Sequence, residues 1–296
     1  MIRVQGADAA SFLHGQLTQD FALLHQQQAR LAALLNPKGR MLASFIGFKR
    51  SADEVLLLCS RDLLAATLKR LSMFVLRAKA RLSDASDQFQ YWGLAGPAAQ
   101  ALLPAQAVPW NLACSGQASV VALYPADGQP RALWLAPLGE PLPCEPAPEL
   151  QDAQHASQQA QQWQWGEVRS GVATLSAPLI GALVPQMLNY ESIGGVNFKK
   201  GCYPGQEVVA RSQFRGTLKR RGYLAHAAAA LAPGCEVFAQ GDAEQPVGLV
   251  VQCAAHPAGG HDLLLSLQVS AAEGALLADG QALTLLPLPY PLLEDI

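Results

Sequence analysis

The stretch NYESIGGVNFKKGCYPGQEVVARSQFRG, residues 189–216, gathers features that packing alone does not require. Between Lys199 and Arg221 stand seven basic residues, Lys199, Lys200, Arg211, Arg215, Lys219, Arg220 and Arg221, against a single acid, Glu207, in a chain whose formal net charge is -2. The positive field is therefore local. Glycines at 194, 195, 201, 205 and 216 permit positive φ or a close approach of the backbone to a ligand, and Tyr203-Pro204-Gly205-Gln206 places Pro and Gly at the central positions of a type II turn. Beyond it, GQEVVARS reads as the start of a helix with Glu207 in the first turn, although the paired valines also suit a strand. As a helix, it sets Cys202 just before a positive N-terminus and beside two lysines, which together stabilise a thiolate. As packing, Cys202 is a small buried hydrophobe. The residues alone leave both readings open.

The run Lys200-Gly201-Cys202-Tyr203-Pro204-Gly205-Gln206-Glu207 resembles the K-G-C-Y-x-G-Q-E signature of the YgfZ family, folate-binding relatives of the glycine-cleavage T-protein (aminomethyltransferase) that support iron–sulfur proteins. The similarity extends over nearly the whole chain, through GADAASFLHGQLTQD (6–20), LLNPKGRM (34–41), VPQMLNYESIGGVNFKKG (184–201) and LPLPYPL (286–292). It implies an α+β, GcvT-like body: two ferredoxin-like α/β lobes, about 1–95 and 96–214, around a central folate pocket, followed by a small C-terminal β-barrel over 215–296.

Element patterning along the chain agrees with a body of this kind. Ile2 to Gln5 reads as a strand feeding a helix capped by Asp8; Ala29 to Leu35 and Met41 to Phe48 are strand-like runs around the turn Asn36-Pro37-Lys38-Gly39-Arg40. A strand at Glu54 to Cys59 precedes a helix from Asp62 to Leu76, where Leu64, Leu68, Leu71 and Val75 recur at helical spacing. With Arg81 to Ser83 and Tyr91 to Ala95 extended, the order suggests a ferredoxin-like split unit. A second α/β lobe follows, with a helix at Pro97 to Leu103 and strands near Ser119 to Tyr124 and Arg131 to Ala136. Five prolines between Pro137 and Pro148 mark a connection. The Gln-rich run from Gln151 to Gln164 repeats Ala153, Ala156, Ala160 and Trp163 at helical spacing and reads as helix, not disorder. Short apolar runs from Leu218 to Leu286 suggest a barrel of five or six strands.

The resemblance implies a tetrahydrofolate, or a one-carbon-substituted folate, bordered by Lys38 and Arg40 of the hairpin loop, by Trp163, and by Asn189, Tyr203, Gln206, Glu207 and Arg211, with Cys202 and Lys200 as the working pair. No acid here matches the aspartate an aminomethyltransferase uses, so the implied function is folate-dependent support of iron–sulfur proteins, with those clients or cluster carriers as partners and an indirect effect on tRNA modification. Two alternatives stay open: a one-carbon transferase with an unknown acceptor, and an RNA-binding factor contacting tRNA through Lys69, Arg70, Arg77, Lys79 and Arg81, a run free of acids. The same five cations also suit a solvated helix face. Six cysteines at 59, 114, 144, 202, 235 and 253 lack the paired spacing of a metal or cluster site. The histidines, His14 among them, have no ligand spacing and receive no role. With no secretory pattern at the start and no apolar run near ~18 residues, the expectation is a cytoplasmic protein without membrane contact.

Overall fold

Ile2 and Val4 point inward from strand β1 (Ile2–Gln5), which lies between two later strands, pairing antiparallel with β4 (Glu54–Leu58) and with β5 (Arg81–Asp84). The structure is a computed structural model, and it describes residues 1–141, 153–214, 218–242 and 244–293, with backbone alone for 153–156. Strands β2 (Ala29–Leu35) and β3 (Met41–Ser51) extend the sheet to five strands in the order β2-β3-β4-β1-β5. Helices α1 (Ala9–His14) and α2 (Arg61–Ser72) are its crossovers. Without the edge strand β2, the order β3-β4-β1-β5 is the ferredoxin-like split expected from the sequence. Helix α2 ends at Ser72, short of the expected Leu76, because the amides of Met73, Phe74 and Val75 tighten into three-residue bonds to Arg70, Leu71 and Ser72.

Tyr91 to Ala95 does not complete this unit. Strand β6 (Phe89–Ala95) instead joins a second sheet with β9 (Gln129–Pro137), β8 (Ala118–Ala126) and β7 (Leu112–Ser115), in the order β6-β9-β8-β7. Asp127 and Gly128, with φ of 49° and 73°, join β8 to β9 as a two-residue hairpin. That turn leaves no place for a second crossover helix, so β7-β8-β9 is a meander with β6 added beside β9 and α3 (Pro97–Leu102) packed on the sheet, which departs from the ferredoxin-like pattern.

Residues 142–152, most of the proline-rich connection, lie outside the described residues. Helix α4 (Ala153–Arg169) then carries the Gln-rich run and packs on β8 and on two strands of the C-terminal barrel, β12 (Pro246–Ala255) and β13 (His261–Gln268). Residues 206–214 form a helix, α5 (Gln206–Phe214), which settles the ambiguity of the valine pair. The barrel closes as β10-β13-β12-β11-β14-β15, with β10 (Arg220–Ala227), β11 (Glu236–Ala239), β14 (Leu276–Ala278) and β15 (Gln281–Leu286), around Val237, Val250, Leu263, Leu265 and Leu267. Among the described residues no helix is long and apolar enough to cross a membrane.

What holds the barrel to the body is a polar latch. Asn189, fully buried in the left-handed conformation at φ 58°, donates from Nδ2 to the Gly222 carbonyl at 2.9 Å and accepts the Gly222 amide on Oδ1 at 3.0 Å. Beside it, Arg221 Nη1 donates to the buried Glu191 carboxylate at 2.8 Å. Asn189→Ala orphans both backbone groups of Gly222 and leaves a β-carbon residue at positive φ. We expect a loss of about 2–4 kcal/mol in denaturant melts; a loss under about 0.5 kcal/mol contradicts the latch.

Candidate functional site

The residues singled out in the sequence fall into two places. The first is a rim where the β2–β3 loop meets the turn before α5. Gly205 has φ +80° and the Gln206 amide bonds the Tyr203 carbonyl at 3.2 Å, which is the type II turn expected. A β-carbon on Gly205 would stand 2.6 Å from the Asn36 carbonyl oxygen and 2.8 Å from the Gly39 Cα, so the two loops touch backbone to backbone. Along the two loops and the start of α5, Lys38, Cys202, Glu207 and Arg211 are exposed, and Arg40 and Gln206 are half-buried. Arg40 is partly spent on structure, donating to the Ala182 carbonyl at 2.5 Å. Arg215 lies outside the described residues.

Cys202 is exposed, four residues ahead of α5 and separated from it by the Pro204-Gly205 turn. Lys200 is not at the surface. It is 8% exposed, and its Nζ donates to the carbonyls of His14 (2.6 Å), Leu17 (3.1 Å) and Gly201 (3.2 Å) while standing 4.4 Å from the centre of the Tyr203 ring. Burial draws its pKa down to about 8, against the pull of Asp20 and Cys202; burial also pushes Tyr203 up to about 12. The lysine expected beside the thiol therefore points inward and clamps the turn onto the end of α1 and the loop after it, while its charge still interacts with Cys202. Asn189 likewise gives its side chain to the barrel rather than to a ligand.

The second place is a cavity of about 320 Å³ between the two sheets and α4. Of the expected ligand-binding residues, Trp163 alone lines it. Its neighbours include Tyr91, Trp110, Tyr124, Arg131 and Glu167, together with the hydroxyls of Ser44 and Thr174. Trp163 does not offer a free face. A β-carbon on Gly93 would lie 2.5 Å from its ring atoms, and the Arg131 guanidinium stands 4.3 Å from the ring centre. Arg131, almost wholly buried, pairs with Glu167, the one carboxylate on the wall among the described residues, and its Nε has no hydrogen-bond partner there. Exposed Tyr91 stands at the mouth. Sequence reading missed Tyr91, Arg131 and Glu167 because each looks like an ordinary strand or helix residue; the strand glycine at 93 was the available signal of a close approach.

Strands β2 and β3 separate the two places. Leu31 and Ser44 to Ile46 line the cavity, whereas Asn36 to Arg40 form the rim, about five residues further along, or roughly 17 Å at strand rise. The basic run at 69–81 lies in neither place and is exposed at Lys69, Arg77, Lys79 and Arg81.

Two expectations follow from these positions. Cys202 and Cys114 are exposed, whereas burial pushes the thiol of Cys59 up to about 11 and raises those of Cys235 and Cys253; iodoacetamide mapping at neutral pH labels the first two ahead of the last three. Early labelling of Cys59 contradicts the burial described. For Lys200, removing the ammonium leaves three carbonyls short of a donor, so Lys200→Ala costs about 2–4 kcal/mol. Since the folded pKa is near 8 and the ordinary value 10.5, the unfolded chain holds more protons between those pH values. The Lys200 contribution to stability therefore rises with pH across that window, and Lys200→Met abolishes the rise.

Comparison with known proteins agrees with this architecture. Residues 1–113 match the family described as GCVT N-terminal domain. The whole fold is similar to the crystal structure of glycine cleavage system aminomethyltransferase T from Bartonella henselae, with a TM-score of 0.64 at 16% identity, over 97% of this chain and 82% of that one. Residues 1–113 are thus similar to the GCVT N-terminal domain, and the whole chain has a GcvT-like fold that ends in a six-stranded barrel.

Proposed function

We propose that this protein binds a reduced folate in the central cavity and supports iron–sulfur proteins through the Cys202 rim. The observation that carries the first half is the cavity itself: aromatic walls beside a buried Arg131 that pairs with the half-buried Glu167 and whose Nε lacks a partner. Its size is at the lower end of ligand pockets, about 300–1,000 Å³, and suits a bicyclic ring better than a whole folate. Tyr91 and Tyr124 would supply apolar ring contact. Arg131 and Glu167 would meet the hydrogen-bonding edge of the pterin, and Ser44 and Thr174 would offer hydroxyls. A folate brings a one-carbon carrier to such a site.

The second half rests on the resemblance of the Lys200 to Glu207 run to the YgfZ signature and on the exposure of Cys202. Because the rim stands roughly 17 Å along the strands from the cavity wall, the thiol and the pterin ring act on different molecules. The folate is held within, and Cys202 faces an iron–sulfur client or a cluster carrier in the cytoplasm. One observation favours a second reading, a one-carbon transferase: Glu167 puts a carboxylate on the cavity wall, where it can take a proton from a folate amine. A tRNA contact, if made, falls to the exposed cations between Lys69 and Arg81 and carries a steep salt dependence.

Calorimetry with tetrahydrofolate and its 5-formyl and 5,10-methylene forms tests the cavity. Binding is expected to weaken at least tenfold in Arg131→Met and Tyr91→Ala, while Cys202→Ser binds as the parent does. No heat with any of them at millimolar concentration overturns the folate reading. For the rim, Cys202→Ser is expected to melt within about 2 °C of the parent and yet to lose support of iron–sulfur enzymes in complementation; full complementation removes the role assigned to Cys202.

A further inference from the structure

We propose that Asp20 and His14 form a proton-accepting pair for the Cys202 thiol, so that the turn works with a Cys–His–Asp set drawn from distant segments of the chain. The proposal deepens the reading of Cys202 as the working thiol and rests on it. His14 closes α1, and Asp20 lies in the following loop; His14 Nδ1 and Asp20 Oδ1 are 3.0 Å apart. Asp20 is itself fixed, accepting the Leu23 amide at 2.9 Å and giving its own amide to Gln19 Oε1. A carboxylate at Nδ1 selects the tautomer with its proton there, which leaves the Nε2 lone pair free.

That lone pair faces the signature turn. A β-carbon at position 201 would stand 3.2 Å from His14 Nε2, so the imidazole edge rests on the backbone one residue ahead of Cys202, against a glycine that leaves it room. The loop bearing the pair is laced to the turn and to the glycines upstream of it by further bonds. Lys200 Nζ holds the carbonyls of His14 and Leu17, Thr18 Oγ1 donates to the Gly195 carbonyl at 2.6 Å, and Gln19 Nε2 donates to the Gly194 carbonyl at 2.7 Å. No hydrogen bond among the described residues uses Nε2.

The step is a proton transfer without change of oxidation state. The S–H bond of Cys202 breaks, its proton joins His14 Nε2 directly or through one water, and the electron pair stays on sulfur as a thiolate. Asp20 holds the resulting imidazolium. Burial works against the Asp20 carboxylate, but the Leu23 amide and His14 outweigh it and keep its pKa below the usual carboxylate value. The other charged and titratable groups in reach are Lys200, whose cation favours the thiolate, Arg30, which senses Asp20, and Tyr203, whose ring faces Lys200. A thiolate prepared in this way suits a soft electrophile or a soft metal centre presented by a partner.

The test is the pH–rate profile of Cys202 alkylation by iodoacetamide in the purified full chain, read by peptide mapping with exposed Cys114 as internal reference. His14→Asn keeps a donor toward Asp20 but removes Nε2, and Asp20→Asn keeps shape but removes charge. In both we expect the Cys202 inflection to move up by about one pH unit, which is a tenfold slower reaction at pH 7, with Cys114 unchanged. A Cys202 profile that superimposes on the parent in His14→Asn overturns the proposal. Should that variant melt early, Asp20→Asn decides in its place by the same comparison. Neither folate nor client enters this assay, so the dyad and the iron–sulfur reading fail separately. If His14→Asn slows alkylation but complements fully, the pair stands and the client role of Cys202 falls.

Discussion

An ammonium ion taken out of water costs several kcal/mol unless lone pairs surround it, and in this protein Lys200 meets that constraint with three backbone carbonyls. Two of them, at His14 in the last turn of the first helix and at Leu17 in the loop after it, lie 186 and 183 residues away in sequence. Closing that distance fixes the signature turn against that helix end and loop. Once it is fixed, Gly205 can meet Gly39 and Asn36 backbone to backbone, α5 can start at Gln206, and the unclamped Cys202 is left at the surface. The most basic-looking motif in the chain thus spends its central charge on architecture.

The same segment joins the remaining parts. Asn189 and Glu191 tie it to Gly222 and Arg221 at the start of the barrel, and the Tyr190 hydroxyl donates to the Ala173 carbonyl, a residue of the cavity wall. Helix α4 completes the arrangement: its Trp163 and Glu167 face the cavity, while Trp165 Nε1 donates to the buried Asp262 of the barrel at 2.8 Å. The barrel therefore braces the helix that forms one wall of the cavity. Burying Asp262 is tolerable because His226 and Trp165 both donate to it.

Much of this was legible in the sequence, and the rest was hidden for identifiable reasons. Local patterns gave most strands of the first sheet, the Pro204-Gly205 turn, the Gln-rich helix and a barrel of five or six strands, since each depends on periodicity or turn chemistry within a few residues. The membership of β6 was misread because strand pairing is a long-range choice: Phe89 to Ala95 has the same alternation whether it meets β5 or β9. The roles of Lys200 and Asn189 were hidden for a related reason. Both are polar residues in a glycine-rich loop, and whether they face a ligand or a distant backbone is settled only by tertiary contact. Arg131 and Glu167, 36 positions apart, become a pair only when β9 packs against α4.

The cavity and the thiol rim are separate places in one fold. Hydrogen–deuterium exchange on the full chain, with and without saturating 5-formyltetrahydrofolate, tests that separation most directly. The account predicts new protection in Phe89–Ala95, in the second half of α4 and in residues 170–174, with exchange unchanged in residues 200–207. Protection confined to 200–207 and the 36–40 loop would contradict it.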